Sequence, residues 1–229
     1  MNTLYIVTPV YEDNEASTRL FLELATAFND KRNNVCIVAV DDGSVCQPVD
    51  IENIENAGLS GVVLKLRRNV GHQRAIAIGL GYVSEHVKPE EQVIVMDSDG
   101  EDLPSTIPGL LEQLKFDDID VVVAQRKSRV ESFRFKAFYI VYKRFFSLMT
   151  GRAINFGNFM ALKSHAVKRL VAMQELPIHV AGAVLASKLR TGSCSLHRGP
   201  RYAGQSKMNF VGLALHGFKA LMVFAEDVL

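Results

Sequence analysis

An acidic cluster at positions 97 to 102 is the densest group of chemically useful residues in the chain. Its four carboxylates fall within six positions: Asp97, Asp99, Glu101 and Asp102. Carboxylates this close repel one another unless a cation compensates them, and they suit a hard ion such as Mg²⁺ or Mn²⁺. Such an ion can bridge a diphosphate and stabilise it as a leaving group. Alternate residues at a strand end face the same side, so Asp97, Asp99 and Glu101 could share one face and form a metal site. A solvated acidic turn is the alternative.

A second cluster, Asp41-Asp42-Gly43-Ser44, follows the apolar run Val35–Val40. Gly43 permits a tight turn, and an acid here can accept hydrogen bonds from a base edge or a ribose hydroxyl. The same residue types are common in an ordinary turn before a helix. The cluster by itself therefore supports both interpretations.

A third cluster, Arg67–Arg74, places basic groups and Gly71 ahead of a helical pattern. A helix N-terminus and an arginine both favour phosphate. A basic surface loop is the alternative, and His72 is given no catalytic role. This cluster indicates a phosphate contact only in combination with the other two.

The elements between these clusters predict an α/β fold. Buried strands are expected at Leu4–Val7, Val35–Val40, Val62–Leu66, Val93–Met96 and Asp120–Ala124, and helices at Glu15–Asn29, Gly71–Ser84 and Ser105–Leu114. Strands that alternate with helices imply a mostly parallel sheet with crossover helices. Ligands bind beyond the carboxyl ends of such strands, so the polar clusters should converge at one edge.

Composition excludes some functional classes. The 229 residues carry a net charge of +1, so no general attraction to nucleic acid is indicated. The spacing of Cys36, Cys46 and Cys194 fits neither a zinc site nor a disulfide framework. No signal peptide is visible, and no run approaches the roughly 18 apolar residues of a membrane span. We therefore expect a cytoplasmic protein without a transmembrane helix in this chain.

Two later segments could contact a membrane surface. Residues 126–152 interleave basic and aromatic side chains and are expected to be helical, and Asn209–Phe224 is amphipathic. A basic amphipathic helix can lie on an anionic bilayer with its aromatic groups at the interface. Packing on the sheet explains the first segment equally well, and the second could also be a dimer contact or core.

The motifs in this order resemble family 2 glycosyltransferases with the GT-A fold, which is Rossmann-like. The matching stretches are Thr8–Glu12, Val40–Ser44, Arg68–Gln73 and Asp97–Asp99. The resemblance covers about the first 125 residues and implies an enzyme that uses a nucleoside diphosphate sugar. We predict donor contacts at Pro9, Tyr11, Glu12, Asp41, Asp42, Gly71, Arg74, Asp97, Ser98 and Asp99, with Mg²⁺ or Mn²⁺ on Asp97, Asp99 and Glu101.

The second half is similar to the polyisoprenyl-phosphate glycosyltransferases, the group of dolichyl-phosphate mannose synthase. Glu101 stands where that group has a Gln as a further metal ligand. Arg126 and Arg129 match arginines after the fifth strand, and Arg201–Lys207 matches an Arg-x-x-Gly-x-Ser-Lys signature. The resemblance implies that these residues contact the diphosphate or the acceptor phosphate. Arg201, Ser206 and Lys207 would help to close a loop over the phosphates.

One stretch departs from that group. Where its members have a Gly-Asp-Phe-Arg-Leu-like sequence, this chain has Gly157–Leu162, with Asn158 in place of the carboxylate. Asn158 cannot act as a general base. A lipid phosphate is already ionised at neutral pH and needs no base, whereas a sugar hydroxyl does. Asn158 therefore favours a phosphate acceptor or signals an altered activity.

The resulting prediction is a metal-dependent glycosyltransferase that moves a sugar onto a polyprenyl phosphate with inversion, in cell-envelope synthesis. Asp99 and Arg126 are the expected catalytic residues. Residues 1–125 are expected to bind the donor, and 126–229 to form the acceptor-binding, membrane-proximal part of the same domain, with a helical C-terminal lobe. The enzyme would sit peripherally at the inner face of the membrane, and a homo-oligomer is among the partners considered.

Three alternatives stay open at this point. The first is a family 2 enzyme that glycosylates a sugar hydroxyl in polysaccharide or O-antigen synthesis. The second is a nucleotidyltransferase, although Thr8–Asn14 lacks the glycines typical of its first loop. The third is a non-catalytic subunit that binds a nucleotide-sugar. An assay of transfer or donor hydrolysis would discriminate between them.

Overall fold

The computed structural model describes residues 2–126, 156–202 and 210–224. The described residues form one sheet of seven strands: β1 Leu4–Val10, β2 Val35–Asp41, β3 Ser60–Lys65, β4 Gln92–Val95, β5 Val121–Arg126, β6 Met160–Lys163 and β7 Thr191–Leu196. The strand order is β3-β2-β1-β4-β6-β5-β7. Only β6 among them runs antiparallel to its neighbours, β4 and β5. The predicted mostly parallel α/β sheet is confirmed.

Helices cover both faces of this sheet. They are α1 Asn14–Ala27, α2 Ile51–Asn56, α3 His72–His86, α4 Ile107–Leu114, α5 Ser164–Val171, α6 Val180–Ala186 and α7 Phe210–Met222, with 3-10 turns at Asn29–Asn34 and Pro104–Thr106. One core layer packs α1, α2 and α4 on the sheet, including the buried Phe21, Leu24 and Leu110. The other layer packs α3, α5 and α6, including Ile76, Leu80 and Val184. Successive strand residues face opposite sides of the sheet, and each side is covered by one of these layers. Both faces of each central strand are therefore apolar.

The predicted element boundaries differ from the observed ones by a few residues, but five of the described elements were missed. Strand β6 has only four residues, and β7 carries the polar sequence TGSCSL at the sheet edge. Strand β6 lies in the short apolar run Phe159–Leu162, which is too brief to distinguish a strand from a helix, and β7 has no such run, so pairing with β5 decides both structures. The other missed elements are the short helices α2, α5 and α6. The predicted helical segment 126–152 lies outside the described residues beyond Arg126, which ends β5.

Helix α7 bears on the prediction that Asn209–Phe224 lies on a membrane, forms a dimer contact or belongs to the core. Helix α7 is followed by Val223 and Phe224, which are buried and pack against Leu185 and Ala186 of α6. Phe218 and Met222 of α7 are each 63% exposed. No helix within residues 2–126, 156–202 and 210–224 is long and apolar enough to cross a bilayer.

The amino ends of β5 and β7 are joined by a charged cluster away from the polar loops. The buried carboxylate of Asp120 accepts hydrogen bonds from Arg190 Nη2 at 2.6 Å and Nε at 3.0 Å, and lies 3.0 Å from His165 Nε2. These bonds to Arg190 hold the pKa of Asp120 well below its usual range, although burial opposes the shift. The cluster holds the amino ends of β5 and β7 together, at the opposite edge of the sheet from the polar loops.

Close packing of α3 on the sheet gives a first test. A Cβ added at Gly79 would lie 2.5 Å from Val7 Cγ1 and 2.9 Å from Val40 Cγ2. Gly79→Ala should therefore lower the free energy of unfolding by about 1–3 kcal/mol through overpacking, measured by urea denaturation. Gly81→Ala is the matched control, because nothing lies within 4 Å of its added Cβ. It should instead stabilise α3 by up to about 1 kcal/mol; equal effects of the two variants would contradict the packing.

Candidate active site

The loops after β1, β2 and β3 enclose a cavity of about 270 Å³. We call it the β1–β3 cavity. Its lining residues are Pro9, Val10, Tyr11, Asp42, Asn69, Gly71 and His72. It lies at the carboxyl edge of the sheet because these strands are parallel and end together. Two of the three polar clusters, those after β2 and β3, therefore meet at this cavity together with the end of β1.

Asp42 joins two of these loops. Its carboxylate accepts hydrogen bonds from the main-chain N–H groups of Val70 at 2.7 Å and Gly71 at 2.9 Å. Gly43 has φ 75°, and an added Cβ would lie 2.4 Å from the main-chain carbon of Arg68. Only glycine permits this conformation and this close approach of two backbones. The wall of the cavity is therefore fixed by Asp42 and Gly43 together.

Glu12 and Asp41 hold the loop after β2 through hydrogen bonds to its main chain. The Glu12 carboxylate accepts hydrogen bonds from the N–H groups of Val45, Cys46 and Gln47 at 2.7–3.2 Å. Asp41 accepts from Ser44 N at 2.8 Å and Val49 N at 3.0 Å. Neither acid lines the β1–β3 cavity. Their predicted contact with a nucleotide stays a prediction, and the structure gives both a role in positioning the loop.

Residues 97–102, which we call the acidic loop, do not continue β4. The strand ends at Val95, and Gly100 has φ 89°, so alternation along a strand does not align the acids. Asp102 accepts a hydrogen bond from Asp97 N at 3.0 Å, which turns the loop back on itself. Ser98 Oγ donates to the carbonyl of Pro9 at 3.1 Å and ties this loop to the β1–β3 cavity.

His72 connects the acidic loop to α3. Its Nε2 lies 3.2 Å from Asp97 Oδ1. Burial lowers the pKa of His72, but the carboxylate of Asp97, with help from Asp99 and Asp102, outweighs burial and leaves the pKa raised. The first residue of α3 thus lies within ion-pair distance of the first acid of the loop.

A segment after β7 covers the acidic loop. We call His197–Tyr202 the strap. Arg201 pairs with Asp99, and Arg198 Nη2 lies 2.5 Å from Glu101 Oε2. The backbone also bridges the two segments, since Tyr202 N donates to Asp99 O at 2.8 Å and Gly199 N to Glu101 O at 3.0 Å. The strap therefore neutralises two of the acids and pairs with the loop that carries them.

Tyr202 anchors the strap on α1. Its hydroxyl donates to Glu23 Oε2 at 2.6 Å, and the Arg19 guanidinium carbon lies 4.5 Å from the centre of its ring. Burial raises the pKa of the Tyr202 phenol, and the hydrogen bond to Glu23 raises it further. The ring also covers Gly100, where an added Cβ would lie 2.7 Å from ring atoms. The position of the strap therefore depends on a glycine in the acidic loop.

A smaller cavity lies between the acidic loop, β5 and the end of β7. This β4–β7 cavity is lined by Asp97, Glu101, Asp102, Ala124, Gln125, Gly157, Asn158, Phe159, Leu196, His197 and Arg198. Its volume of about 20 Å³ has room for about one water molecule. Because His197 and Arg198 form one wall, the strap must move before a larger molecule can enter.

Within the described ranges, no three His, Cys, Asp or Glu side chains converge closely enough to hold a metal ion. Asp97, Asp99 and Glu101 face His72, Arg201 and Arg198 respectively. Their oxygens are nevertheless the ligands that Mg²⁺ and Mn²⁺ prefer. The donor set fits such an ion chemically, and binding requires at least the Arg201 pair to open.

The sequence model described as Glycosyl transferase family 2 matches residues 5–175. The chain belongs to this family. The matched residues contain the β1–β3 cavity, the acidic loop and Asn158, so the family assignment rests on the parts of the chain that build the site. The strap lies beyond the matched residues.

A curated relative supports the family assignment. An uncharacterized glycosyltransferase of Synechocystis sp. is 27% identical over 215 residues, which cover 90% of this chain. The chain spans 64% of the length of that relative.

Solved structures of glucosyl-3-phosphoglycerate synthase from Mycobacterium tuberculosis share the fold. The complex with Mn²⁺, UDP-glucose and phosphoglyceric acid has a TM-score of 0.67 at 14% identity, covering 99% of this chain and 80% of that chain. The complex with Mg²⁺ and UDP has a TM-score of 0.67 at 13% identity, covering 99% and 79%. These similarities confirm the predicted glycosyltransferase fold.

The structure brings most of the predicted site residues to this edge of the sheet. Pro9, Tyr11, Asp42 and Gly71 line one cavity, Asn158 lines the other, and Arg201 contacts Asp99. Arg74 is exposed on α3 and lines neither cavity. Arg129, Ser206 and Lys207 lie outside the described residues.

Sequence reasoning missed four residues that shape the site: Asn69, Gln73, Arg198 and Tyr202. Asn69, Gln73 and Tyr202 lie inside the motifs given above, but the sequence analysis assigned no function to them. Tyr202, for example, stands next to Arg201 in the signature. Arg198 lies outside these motifs, and its pairing with Glu101 has no local sequence signal. A basic residue that faces an acid far away along the chain is visible only after folding.

Proposed function

We propose that this chain is a glycosyltransferase that moves a sugar from a nucleoside diphosphate sugar to an acceptor that carries a phosphate. The observation that carries the proposal is the position of the β1–β3 cavity directly beside the acidic loop, joined by the Ser98–Pro9 hydrogen bond and by His72. In this proposal the nucleoside occupies the β1–β3 cavity, and its diphosphate lies toward the acids.

Residues of both loops have distinct tasks in this proposal. Tyr11 and Asp42 bind the nucleoside, and Asp97, Asp99 and Glu101 would hold Mg²⁺ or Mn²⁺. A bound ion would supply charge stabilisation to the departing diphosphate. Arg201 is paired with Asp99 in this structure, so it is well placed to turn toward the phosphates once the acid has another partner. Arg126, at the end of β5, would add a second positive charge.

The acceptor is proposed to be a polyprenyl phosphate. Asn158 lines the β4–β7 cavity, and it stands where the polyisoprenyl-phosphate glycosyltransferases that this chain resembles have a carboxylate. An ionised phosphate oxygen attacks without a base, which is consistent with an amide at this position. The structural neighbours in complex with phosphoglyceric acid also hold a molecule that carries a phosphate. Attack opposite the leaving group would invert the anomeric centre, and a lipid acceptor would place the enzyme at the inner membrane surface.

Donor binding can be tested with a thermal-shift panel of nucleoside diphosphate sugars, each with Mn²⁺ or with EDTA. At a hundredfold excess over Kd, a true donor stabilises the fold by about 2.7 kcal/mol. For a chain of this size that should raise Tm by about 5–10 °C. The shift should require Mn²⁺ and the sugar-linked diphosphate, and the nucleoside alone serves as control. A panel in which no compound raises Tm would overturn the proposal.

A further inference from the structure

The ion pair between Arg198 and Glu101 stands between the acidic loop and the β4–β7 cavity. Arg198 Nη2 lies 2.5 Å from Glu101 Oε2, and both residues line the cavity. The pair is partly closed to water, since the two side chains are 30% and 27% exposed. A guanidinium therefore lies in the wall of the cavity, and Glu101 neutralises its charge.

The backbone next to this pair is packed directly on the acidic loop. Gly199 N donates a hydrogen bond to Glu101 O at 3.0 Å, and a Cβ added at Gly199 would lie 2.6 Å from Gly100 O. An arginine side chain, in contrast, is long and has several rotatable bonds. The pair can therefore open by a turn of the Arg198 side chain, while the backbone beside it stays in place.

The acidic loop needs different counter-ions once it holds a divalent cation. Two of its carboxylates, Asp99 and Glu101, are neutralised by Arg201 and Arg198. If the same carboxylates ligate Mg²⁺ or Mn²⁺, the two charges of the ion balance them and both guanidiniums lose their partners. A partly buried charge without a partner is unfavourable. Each arginine then favours another anion.

The two arginines are placed for different anions. Arg198 lines the β4–β7 cavity, whereas Arg201 lines neither cavity. In the proposed function Arg201 turns toward the donor diphosphate, so the anion left for Arg198 is one that enters the β4–β7 cavity on the acceptor side. A hydroxyl has no charge to replace that of Glu101. A phosphate monoester has, and a guanidinium can bind it through two parallel hydrogen bonds.

We propose that Arg198 is a specificity-determining residue that exchanges partners: it neutralises Glu101 until this carboxylate ligates a divalent cation, and it then turns to bind the phosphate monoester of the acceptor in the β4–β7 cavity. This inference rests on the proposed function and adds which residue recognises the acceptor and when. Cation and acceptor phosphate each raise the affinity of the other, because coupling between two ligands is reciprocal. An acceptor with an uncharged hydroxyl gains nothing from the exchange.

Glu101→Gln tests the exchange without a metal ion. Glutamine keeps the shape of the side chain but not its charge, so Arg198 should be released permanently. Affinity for citronellyl phosphate, a short isoprenoid phosphate, should rise about 10- to 100-fold by calorimetry without divalent cations, as expected for a hydrogen bond between charged groups. Citronellol is the uncharged comparison and should bind no better to Glu101→Gln than to the wild type.

A double-mutant cycle separates release of the arginine from the mere loss of an acid. In the Arg198→Gln background, Glu101→Gln should raise affinity for citronellyl phosphate by less than about threefold, because no guanidinium is left to release. Arg169→Gln is the matched control, since Arg169 is an exposed arginine on α5 that lines neither cavity. It should keep the wild-type affinity and the wild-type response to Glu101→Gln.

NMR of the full ¹⁵N-labelled chain reads the Arg198 side chain directly. Its Nε–H signal is assigned by its loss in Arg198→Gln. Mg²⁺ should move the wild-type signal toward its position in Glu101→Gln, where Mg²⁺ should have little effect. Citronellyl phosphate and 3-phosphoglycerate, each added with Mg²⁺, then separate a lipid source of the phosphate from a soluble one. The source that the site accepts should shift the signal at the lower concentration.

Two results would overturn the inference. One is an Arg198 signal that has the same position in wild type and Glu101→Gln. The other is a gain in phosphate affinity that is equal with and without Arg198. Tm is measured for each variant, and if Glu101→Gln does not fold, an Arg198 signal that Mg²⁺ leaves unmoved in the wild type would decide against the exchange. Failure of the proposed function appears elsewhere, as a wild-type chain that no nucleoside diphosphate sugar stabilises.

Discussion

Replacing Asp99 with alanine should lower kcat for sugar transfer by about 100- to 1,000-fold, the usual cost of removing one group that stabilises the charge of a transition state. Asp99 lies at the centre of the acidic loop, where its carboxylate is only 12% exposed. Its proposed task is to hold the divalent ion against the diphosphate, and alanine offers no oxygen. Initial rates with saturating donor and Mn²⁺ measure the effect.

The same substitution also removes the partner of Arg201, so stability must be followed beside activity. Glu55→Ala is the control, because Glu55 is an exposed acid on α2 away from both cavities. It should leave kcat and Tm unchanged. Full Mn²⁺-dependent turnover by a folded Asp99→Ala variant would remove the basis of the proposed mechanism.

Replacing Arg201 with alanine should change two quantities in opposite directions. Without donor, the Asp99 carboxylate would no longer be neutralised by a guanidinium, so apparent Mn²⁺ affinity should rise by about tenfold, as expected for losing a charge-assisted hydrogen bond. With donor, kcat should fall by about 100-fold, because the charge that turns toward the diphosphate is missing. Titration of Mn²⁺ by calorimetry and steady-state kinetics measure the two effects.

Arg190→Ala provides the matched control for this variant. Arg190 is also paired with a buried acid, Asp120, but at the opposite edge of the sheet. Its loss should reduce stability and leave Mn²⁺ affinity and kcat unchanged. A fall in Mn²⁺ affinity in Arg201→Ala would show that the arginine does not compete with the ion for Asp99.

The strap restricts access to the β4–β7 cavity. Arg198 and Arg201 pair with Glu101 and Asp99, and the cavity has room for about one water molecule. An acceptor can enter only when these pairs open. Tyr202 stays anchored to α1 through Glu23, so the hinge of such a movement is expected on the other side of the strap.

Much of the donor side could be predicted from sequence. Apolar runs end at polar residues after β1, β2 and β4, and both signals are local, since strand propensity and turn chemistry depend on neighbours along the chain. The parallel arrangement then brings these ends to one edge. This is why Tyr11, Asp42 and the acidic loop were predicted together and are found together.

The acceptor side could not be predicted in the same way. Strand β6 runs antiparallel between β4 and β5 and carries Asn158 next to its start. Gln73 meets Asn158 across 85 positions of sequence, and Arg201 meets Asp99 across 102. No periodicity links residues so far apart, and only packing decides which of them meet.

The sequence by itself determined the α/β class, the family and the polar residues that follow β1, β2 and β4. These features depend on local patterns of apolar and polar residues. The tertiary structure decided which carboxylates the strap neutralises, which acid His72 meets, and which distant residues line the two cavities. The physical reason is that charge pairing and cavity lining depend on contacts between distant segments. Those contacts exist only once the core has closed.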